Sequence, residues 1–301
     1  MRPGRFFAAL ALVLIALSPA LAHAAEPGPK LLVVTAHPDD DALFSGTIYK
    51  TTHALGGVAD LAILTNGEGG YRFSTLAEPI YGLKLTDEAV GRAWLPAIRK
   101  QELMAGGAIV GLRNYFFFDQ VDSGFTKDMS ALFATEWDLP FIQKRFAEIL
   151  AKGGYDFVLV MLPTLETHAH HRAAAILALE AVAARPESGR PVVLAASARS
   201  ARFPEQGPYL GLPEYPLTKV LEGAPQLVFD RTQKFGQNGR LDYQIIANWV
   251  IAEHKSQGTM QLLMGAQTAE VYWTFELNGE AGAAKARAFF DRLAAAPPFV
   301  R

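Results

Sequence analysis

The sequence predicts an α/β fold: a Rossmann-like, mostly parallel sheet with helices on both faces, in a single domain. Apolar runs such as Leu31–Ala36 and Phe157–Leu162 alternate with amphipathic segments of helical length. The runs are continuously apolar instead of alternating with polar residues, as strands buried on both faces are. No internal repeat or low-complexity linker interrupts residues 25–301, so no interior domain boundary is drawn.

Taken in order, residues 1–24 read as a signal peptide. Arg2 and Arg5 form a basic start, Phe6–Leu17 is wholly apolar, and Ala22-His23-Ala24 offers a small-x-small cleavage site. The expected product is secreted and periplasmic, with no stable membrane anchor after cleavage; an uncleaved N-terminal anchor is the alternative. Strands are expected at Leu31–Ala36, Ala59–Thr65, Tyr115–Phe118, Phe157–Leu162, Val192–Ala196, Gln226–Phe229 and Val271–Leu277. Helices are expected at Asp41–Leu55, Asp87–Val110, His170–Ala184, Tyr243–Ser256 and Ala281–Ala296. A further helix starts from an Asp138 cap and ends at Gly153-Gly154. Residues 199–224, rich in Pro, Gly, Tyr and Leu, read as a long rim loop.

The formal charge is −2, and loss of Arg2 and Arg5 makes the remainder more acidic. With no Lys/Arg block, nucleic acid and anionic membranes are poor partners. The chain has no cysteine, so disulfides and thiolate metal sites are excluded. Any metal must be held by His and carboxylate.

One stretch concentrates that chemistry. The apolar run ending at Ala36 stops at His37-Pro38-Asp39-Asp40-Asp41. Adjacent carboxylates at a strand mouth repel one another and lose solvation, and a cation relieves both costs. The complementary cluster is His168-Ala169-His170-His171. Both clusters follow expected strands, so both fall on the rim where open parallel sheets bind ligands. If Pro38 opens a helix, His37 and Asp40 share one side of its first turn, and His168 and His171 repeat that spacing. Two histidines and one carboxylate leave a fourth position open, the arrangement of a hydrolytic zinc site; Fe²⁺ is the alternative ion. An acid-rich helix N-terminus would account for one or two of the carboxylates, but not for the preceding His-Pro.

Ala36-His37-Pro38-Asp39-Asp40 resembles the AHPDD(E) signature of the PIG-L/LmbE family of zinc-dependent N-acetylglucosaminyl deacetylases. His168-Ala169-His170-His171-Arg172 is similar to its HPDHR motif. Thr65-Asn66-Gly67-Glu68-Gly69, Arg99-Lys100-Gln101-Glu102 and His254-Lys255-Ser256-Gln257 follow in the family's order. The resemblance implies His37, Asp40 and His171 as zinc ligands and Asp39 as general base. It implies His168 as the group that stabilises the oxyanion or protonates the leaving amine. Its expected substrate is an N-acetylglucosamine-type sugar or glycoconjugate. The alternatives are an amidase on another N-acyl glycoconjugate or glycopeptide, and a non-catalytic carbohydrate-binding relative. Two departures stand out: Asp41 replaces the usual Glu, and Ala169-His170 replaces Pro-Asp, which makes His170 a competing ligand.

Other residues carry weaker readings. Glu68 and Arg72 contact a sugar or form a solvated turn, and Asp122 accepts from a substrate hydroxyl or caps a turn. Glu102 is expected on a solvated helix face, His53 on a helix surface, and His254 in a structural role. Phe116–Phe118 is read as core strand, and Tyr209 and Tyr215 as possible sugar-stacking residues. Oligomeric state is left open.

Overall fold

The structure, a computed structural model, describes residues 27–200 and 208–297. The expected signal peptide lies outside the described residues, as does the part of the rim loop at 201–207.

Among the described residues, nine strands and eight α-helices form in chain order: β1 (Lys30–Thr35), α1 (Ser45–Ala54), β2 (Val58–Thr65), α2 (Glu78–Tyr81), α3 (Glu88–Val110), β3 (Leu112–Gln120) and α4 (Leu139–Gly153). Then come β4 (Phe157–Met161), α5 (Ala169–Ala183), β5 (Val192–Ser200), β6 (Leu227–Asp230), β7 (Lys234–Phe235), β8 (Leu241–Asp242), α6 (Tyr243–Glu253), α7 (Gly258–Gln261), β9 (Gln267–Thr274) and α8 (Gly279–Ala295). Seven strands make one sheet in the order β3-β2-β1-β4-β5-β9-β6. The first five are parallel, and β9 runs antiparallel to both its neighbours. The predicted fold class is therefore the observed one, with every expected strand present. β7 and β8 form a separate small ribbon that the sequence did not signal.

The central strands show why their sequences lack alternation. Leu32, Val34, Val158 and Val160 pack into a core beneath α4 and α5. Leu31, Val33, Ile63 and Leu159 point the other way, into a core closed by α1, α3, α6 and α8. Each face needs apolar residues at every second position, and two buried faces make the run continuous. The helix signals also hold. Asp87 accepts from the Val90 amide at the start of α3, and Asp138 accepts from the Phe141 amide at the start of α4.

Strand order reverses between β1 and β4, which places the crevice of the sheet at the carboxyl ends of these two strands. Both sequence clusters emerge there. One local expectation fails: Pro38 does not open an α-helix. The chain makes a turn at Pro38-Asp39, then a 3₁₀ segment over Asp40–Phe44, and becomes α-helical only at Ser45.

A buried ion pair from the antiparallel edge of the sheet fixes this segment. Glu270 on β9 accepts from the Gly46 and Thr47 amides at 2.7 and 3.0 Å and from the Thr47 hydroxyl at 2.6 Å, taking up donors that the first turn of α1 leaves free. Arg231 donates to Glu270 at 2.9 Å and to the Ala42 and Leu43 carbonyls at 2.8 and 2.9 Å. Both charged residues are fully buried.

Candidate active site

The turn after β1 is built around Asp40. Its Oδ2 accepts from the Ala36 amide at 3.1 Å and the His37 amide at 2.8 Å, folding the loop back over the strand end. Burial would raise the Asp40 pKa. The charge and hydrogen bonds of His171 and His37 outweigh that and hold its carboxyl well below the usual carboxylate range. Opposite, α5 begins with His168 as its N-cap, and His171 lies in its first turn.

Three side chains meet between these elements. His37 Nδ1 lies 3.0 Å from His171 Nε2, His171 Nε2 lies 3.2 Å from Asp40 Oδ1, and His37 Nδ1 lies 3.7 Å from Asp40 Oδ2. Ligands about 2.1 Å from a tetrahedral ion sit roughly 3.4 Å from one another, so this triangle fits a small divalent cation. The donor set also fits: two imidazoles and a carboxylate, with His171 Nδ1 steadied 3.1 Å from the Thr167 hydroxyl.

The remaining histidines occupy the other side of His37. Its Nε2 lies 3.1 Å from His170 Nδ1 and 3.9 Å from Asp122 Oδ2. The structure thus takes His170 away from Asp40 and His171. Its Nδ1 lies against the far nitrogen of His37 and its Nε2 is 3.4 Å from the Ser123 hydroxyl, and with His37, Asp122 and His168 it forms a second group that could hold an ion. Burial, then the charge of His37, lowers the His170 pKa and keeps the ring neutral. His168 Nδ1 accepts from the His170 amide at 3.0 Å, which leaves Nε2–H as its free donor. Burial followed by the neighbouring His37 and His171 pushes its pKa down to about 4, so the ring is neutral at pH 7. Phe125, exposed on the rim, packs edge-on against it.

Asp39 lies beside the triangle and is held by Arg99, whose Nη2 approaches its Oδ1 at 2.8 Å. Arg99 Nη1 donates to the Gly67 carbonyl at 2.6 Å. Gly67 has φ +72°, and a Cβ there would come within 2.4 Å of the guanidinium, so glycine permits both the turn and the approach. Asp41 points away from the site into α6, with Oδ1 2.8 Å from His254 Nε2; both side chains are fully buried. His254 is structural, as expected. Glu102 is not on a solvated face. It is buried and accepts from the Ser256 amide at 2.8 Å, the Ser256 hydroxyl at 2.6 Å and the Tyr81 hydroxyl at 2.7 Å. A helix-face argument missed it because its partners come from segments distant in sequence.

The Asp41–His254 pair makes stability depend on pH. Burial lowers the His254 pKa, but the charge and hydrogen bond of Asp41 outweigh it and leave the pKa raised. A folded-state value above the unfolded one contributes stability fully below about pH 6.5, and that contribution is lost as pH rises through the folded value. The wild type should therefore lose more stability than His254→Gln between pH 6 and 9. Urea midpoints across that range test this, and parallel curves for the two proteins would refute it.

The weaker sequence candidates separate. Asp122 is buried, caps its own turn by accepting from the Gly124 amide at 2.9 Å, and faces the histidines. Glu68 is buried, and burial raises its pKa, so the solvated-turn reading does not hold for it. Arg72 is exposed and lies over the Tyr71 ring. His53 is half-buried and stacks on Tyr49 at 4.1 Å. Phe118 is core, while Phe116 and Phe117 are only half-buried. The Tyr209 hydroxyl donates to the Pro163 carbonyl, and Tyr209 and Tyr215 pack against the core.

Comparison with solved structures supports the architecture. The chain is similar to GalB, the 4-carboxy-2-hydroxymuconate hydratase from Pseudomonas putida KT2440, with 16% identity over 82% of this chain and 95% of that one and a TM-score of 0.51, a likeness of fold. It also matches the N,N'-diacetylchitobiose deacetylase from Pyrococcus horikoshii at 25% identity and a TM-score of 0.38, over 51% of this chain and 49% of that one, about half its length. The teicoplanin deacetylase Orf2 matches at 16% identity and a TM-score of 0.45, over 82% and 97%. No curated protein sequence matches. The model of the PIG-L family, described as GlcNAc-PI de-N-acetylase, matches residues 32–182, which span β1 through α5 and include every residue of the His-Asp triangle. That match covers half of the chain, and the chain belongs to the PIG-L family.

Proposed function

We propose that this chain is a divalent-metal-dependent N-deacetylase acting on an N-acetylated amino sugar or its glycoconjugate, exported after removal of residues 1–24. The observation that carries the reading is the convergence of His37 Nδ1, Asp40 and His171 Nε2 beside Asp39, in a member of a deacetylase family. His37, Asp40 and His171 would hold the metal, with zinc the best match to the donor set and Fe²⁺ the alternative. When bound, such an ion polarises the amide carbonyl and acidifies the attacking water.

The chain's own residues supply the rest. Asp39, oriented by Arg99, takes the proton from the attacking water. His168, its Nδ1 taken by the His170 amide, would offer Nε2–H as a neutral donor to stabilise the oxyanion as the carbonyl becomes tetrahedral. The proton collected by Asp39 then passes to the departing nitrogen, releasing acetate and a free amine. His37 stays fixed through its far nitrogen by His170, which does for this chain what a carboxylate commonly does behind a metal-bound histidine.

The test is acetate release from a panel of N-acetylated saccharides, with the protein first stripped by chelator and then reloaded with zinc. Metal-dependent acetate from a glucosamine derivative supports the reading; silence with stoichiometric zinc bound refutes it. Stripping should also lower thermal stability, because an ion at about 1,000 times its Kd stabilises the folded state by about 4 kcal/mol. A melting temperature unmoved by chelator would mean that these residues hold no ion.

A further inference from the structure

The far nitrogen of His37 belongs to a second set of donors, which shares only that residue with the triangle of His37, Asp40 and His171. His37 Nε2 lies 3.1 Å from His170 Nδ1 and 3.9 Å from Asp122 Oδ2, and His170 Nδ1 lies 3.5 Å from Asp122 Oδ1. A ring nitrogen of His168 completes the set, with all four donor atoms within 4.8 Å of one another. Ligands about 2.1 Å from a tetrahedral ion sit roughly 3.4 Å apart, so these separations match four positions around one ion. Three imidazoles and one carboxylate suit zinc.

The surroundings are built to hold these donors. His37, Asp122 and His170 are buried, while His168 is half-buried and leaves the set reachable from solvent. His170 Nε2 lies 3.4 Å from the Ser123 hydroxyl, a partner that turns Nδ1 towards the other donors. Asp122 Oδ1 accepts from the Gly124 amide at 2.9 Å, which fixes the carboxylate against the rings. A carboxylate buried there loses hydration, and a cation relieves that cost. The third imidazole comes from His170, where the family's motif carries Asp, so the three-histidine set is this chain's own.

We infer that His37, Asp122, His168 and His170 form a second site for a divalent cation of the zinc type, and that an ion held there stops the reaction at the first site. The inhibition rests on the amide-hydrolase reading of the first site; the binding does not. Filling the second site takes apart two hydrogen bonds. The ion replaces the contact between His37 and His170, and the ring proton of that contact leaves to solvent. His168 Nδ1 accepts from the His170 amide, so binding an ion through Nε2 moves the ring proton to Nδ1 and opens that cap. Both losses make the second ion the weaker bound, and the second loss removes the Nε2–H that would stabilise the oxyanion. Ions on the two nitrogens of one imidazole diverge beyond the roughly 3.5–4 Å at which paired metals act on one water, so the second ion does not assist the attack.

The experiment titrates metal-free protein with zinc by calorimetry and follows acetate release over the same range of free zinc. The wild type should bind two equivalents, the second weaker by roughly tenfold or more. Turnover should rise with the first and fall about 10²- to 10³-fold with the second, the usual cost of losing one oxyanion donor. Asp122→Asn keeps an oxygen for the Gly124 amide and should bind one equivalent, with no fall at high zinc. His170→Asn, read by stoichiometry alone, serves if Asp122→Asn does not fold. A single equivalent in the wild type, or a second one that Asp122→Asn retains, would overturn the site and leave the deacetylase reading intact. Two equivalents with undiminished turnover would overturn the inhibition. Two equivalents that Asp122→Asn reduces to one, in a protein that hydrolyses nothing, support the site, and only the reaction reading then fails.

Discussion

Asp39→Asn should lower kcat by about 10²- to 10⁴-fold, the usual contribution of a positioned general base, while leaving metal stoichiometry and substrate affinity close to wild type. The substitution preserves shape and an acceptor oxygen for Arg99, and removes the negative charge together with the capacity to take a proton. Two features of the site sharpen the expectation. Asp39 is held at 2.8 Å by Arg99, and that same arginine is tied to the Gly67 carbonyl, so the carboxylate's orientation is set by α3 and not by the loop that carries it. His168 cannot stand in as the base without losing its place, because its Nδ1 is occupied by the His170 amide. The Arg99 guanidinium loses its charge partner in the variant, so thermal stability must be measured alongside. Loss of turnover with full metal content and a cooperative melt assigns the base to Asp39. A fully active Asp39→Asn protein would end that assignment.

The sheet was legible in the sequence because a strand buried on both faces must be apolar throughout, and Leu31–Val34 and Phe157–Val160 meet that demand without compromise. The site was legible for a different reason. His37, Asp40 and His171 come from two short segments, each following a strand, and the rule that ligands sit beyond the strand ends brings those segments together. What escaped was held by partners remote in sequence. Glu102 looks like any solvated helical carboxylate until Tyr81 and Ser256 close over it. The local form of the His37–Asp40 turn also escaped. Proline tolerates both a turn and a first helical residue, and the choice was made by Asp40 bonding back to the Ala36 and His37 amides. His170 could not be separated from His171 by identity alone; the first turn of α5 sends one towards Asp40 and the other towards Asp122. Glu270 escaped too: the expected strand began at Val271, and the residues before it, Gln267 to Glu270, are mostly polar and gave no strand signal although they belong to β9.

The Arg231–Glu270 pair carries the largest expected stability effect in the protein. Glu270→Gln should destabilise the fold by about 3–5 kcal/mol, the cost of leaving one member of a buried pair uncompensated. Arg231 is fully buried and keeps hydrogen bonds to Ala42, Leu43 and Gln267, so it cannot swing into water to recover solvation. The shift should appear as a lower urea midpoint at unchanged slope. Arg231→Met alone should be comparably damaging, since it leaves the Glu270 charge buried. The double variant should recover part of the loss, giving a coupling of up to about 3 kcal/mol between the two sites. The effect should reach the metal as well. Arg231 holds the carbonyls of Ala42 and Leu43, in the 3₁₀ segment that begins at Asp40, and Glu270 caps the helix into which that segment runs. Loosening either end lets the Asp40 carboxylate drift from the two histidines. Zinc affinity of Glu270→Gln, measured below its unfolding transition, should therefore fall although Glu270 is no ligand. A variant that loses less than about 1 kcal/mol, within the range of an ordinary surface pair, would show that this network does not brace the site.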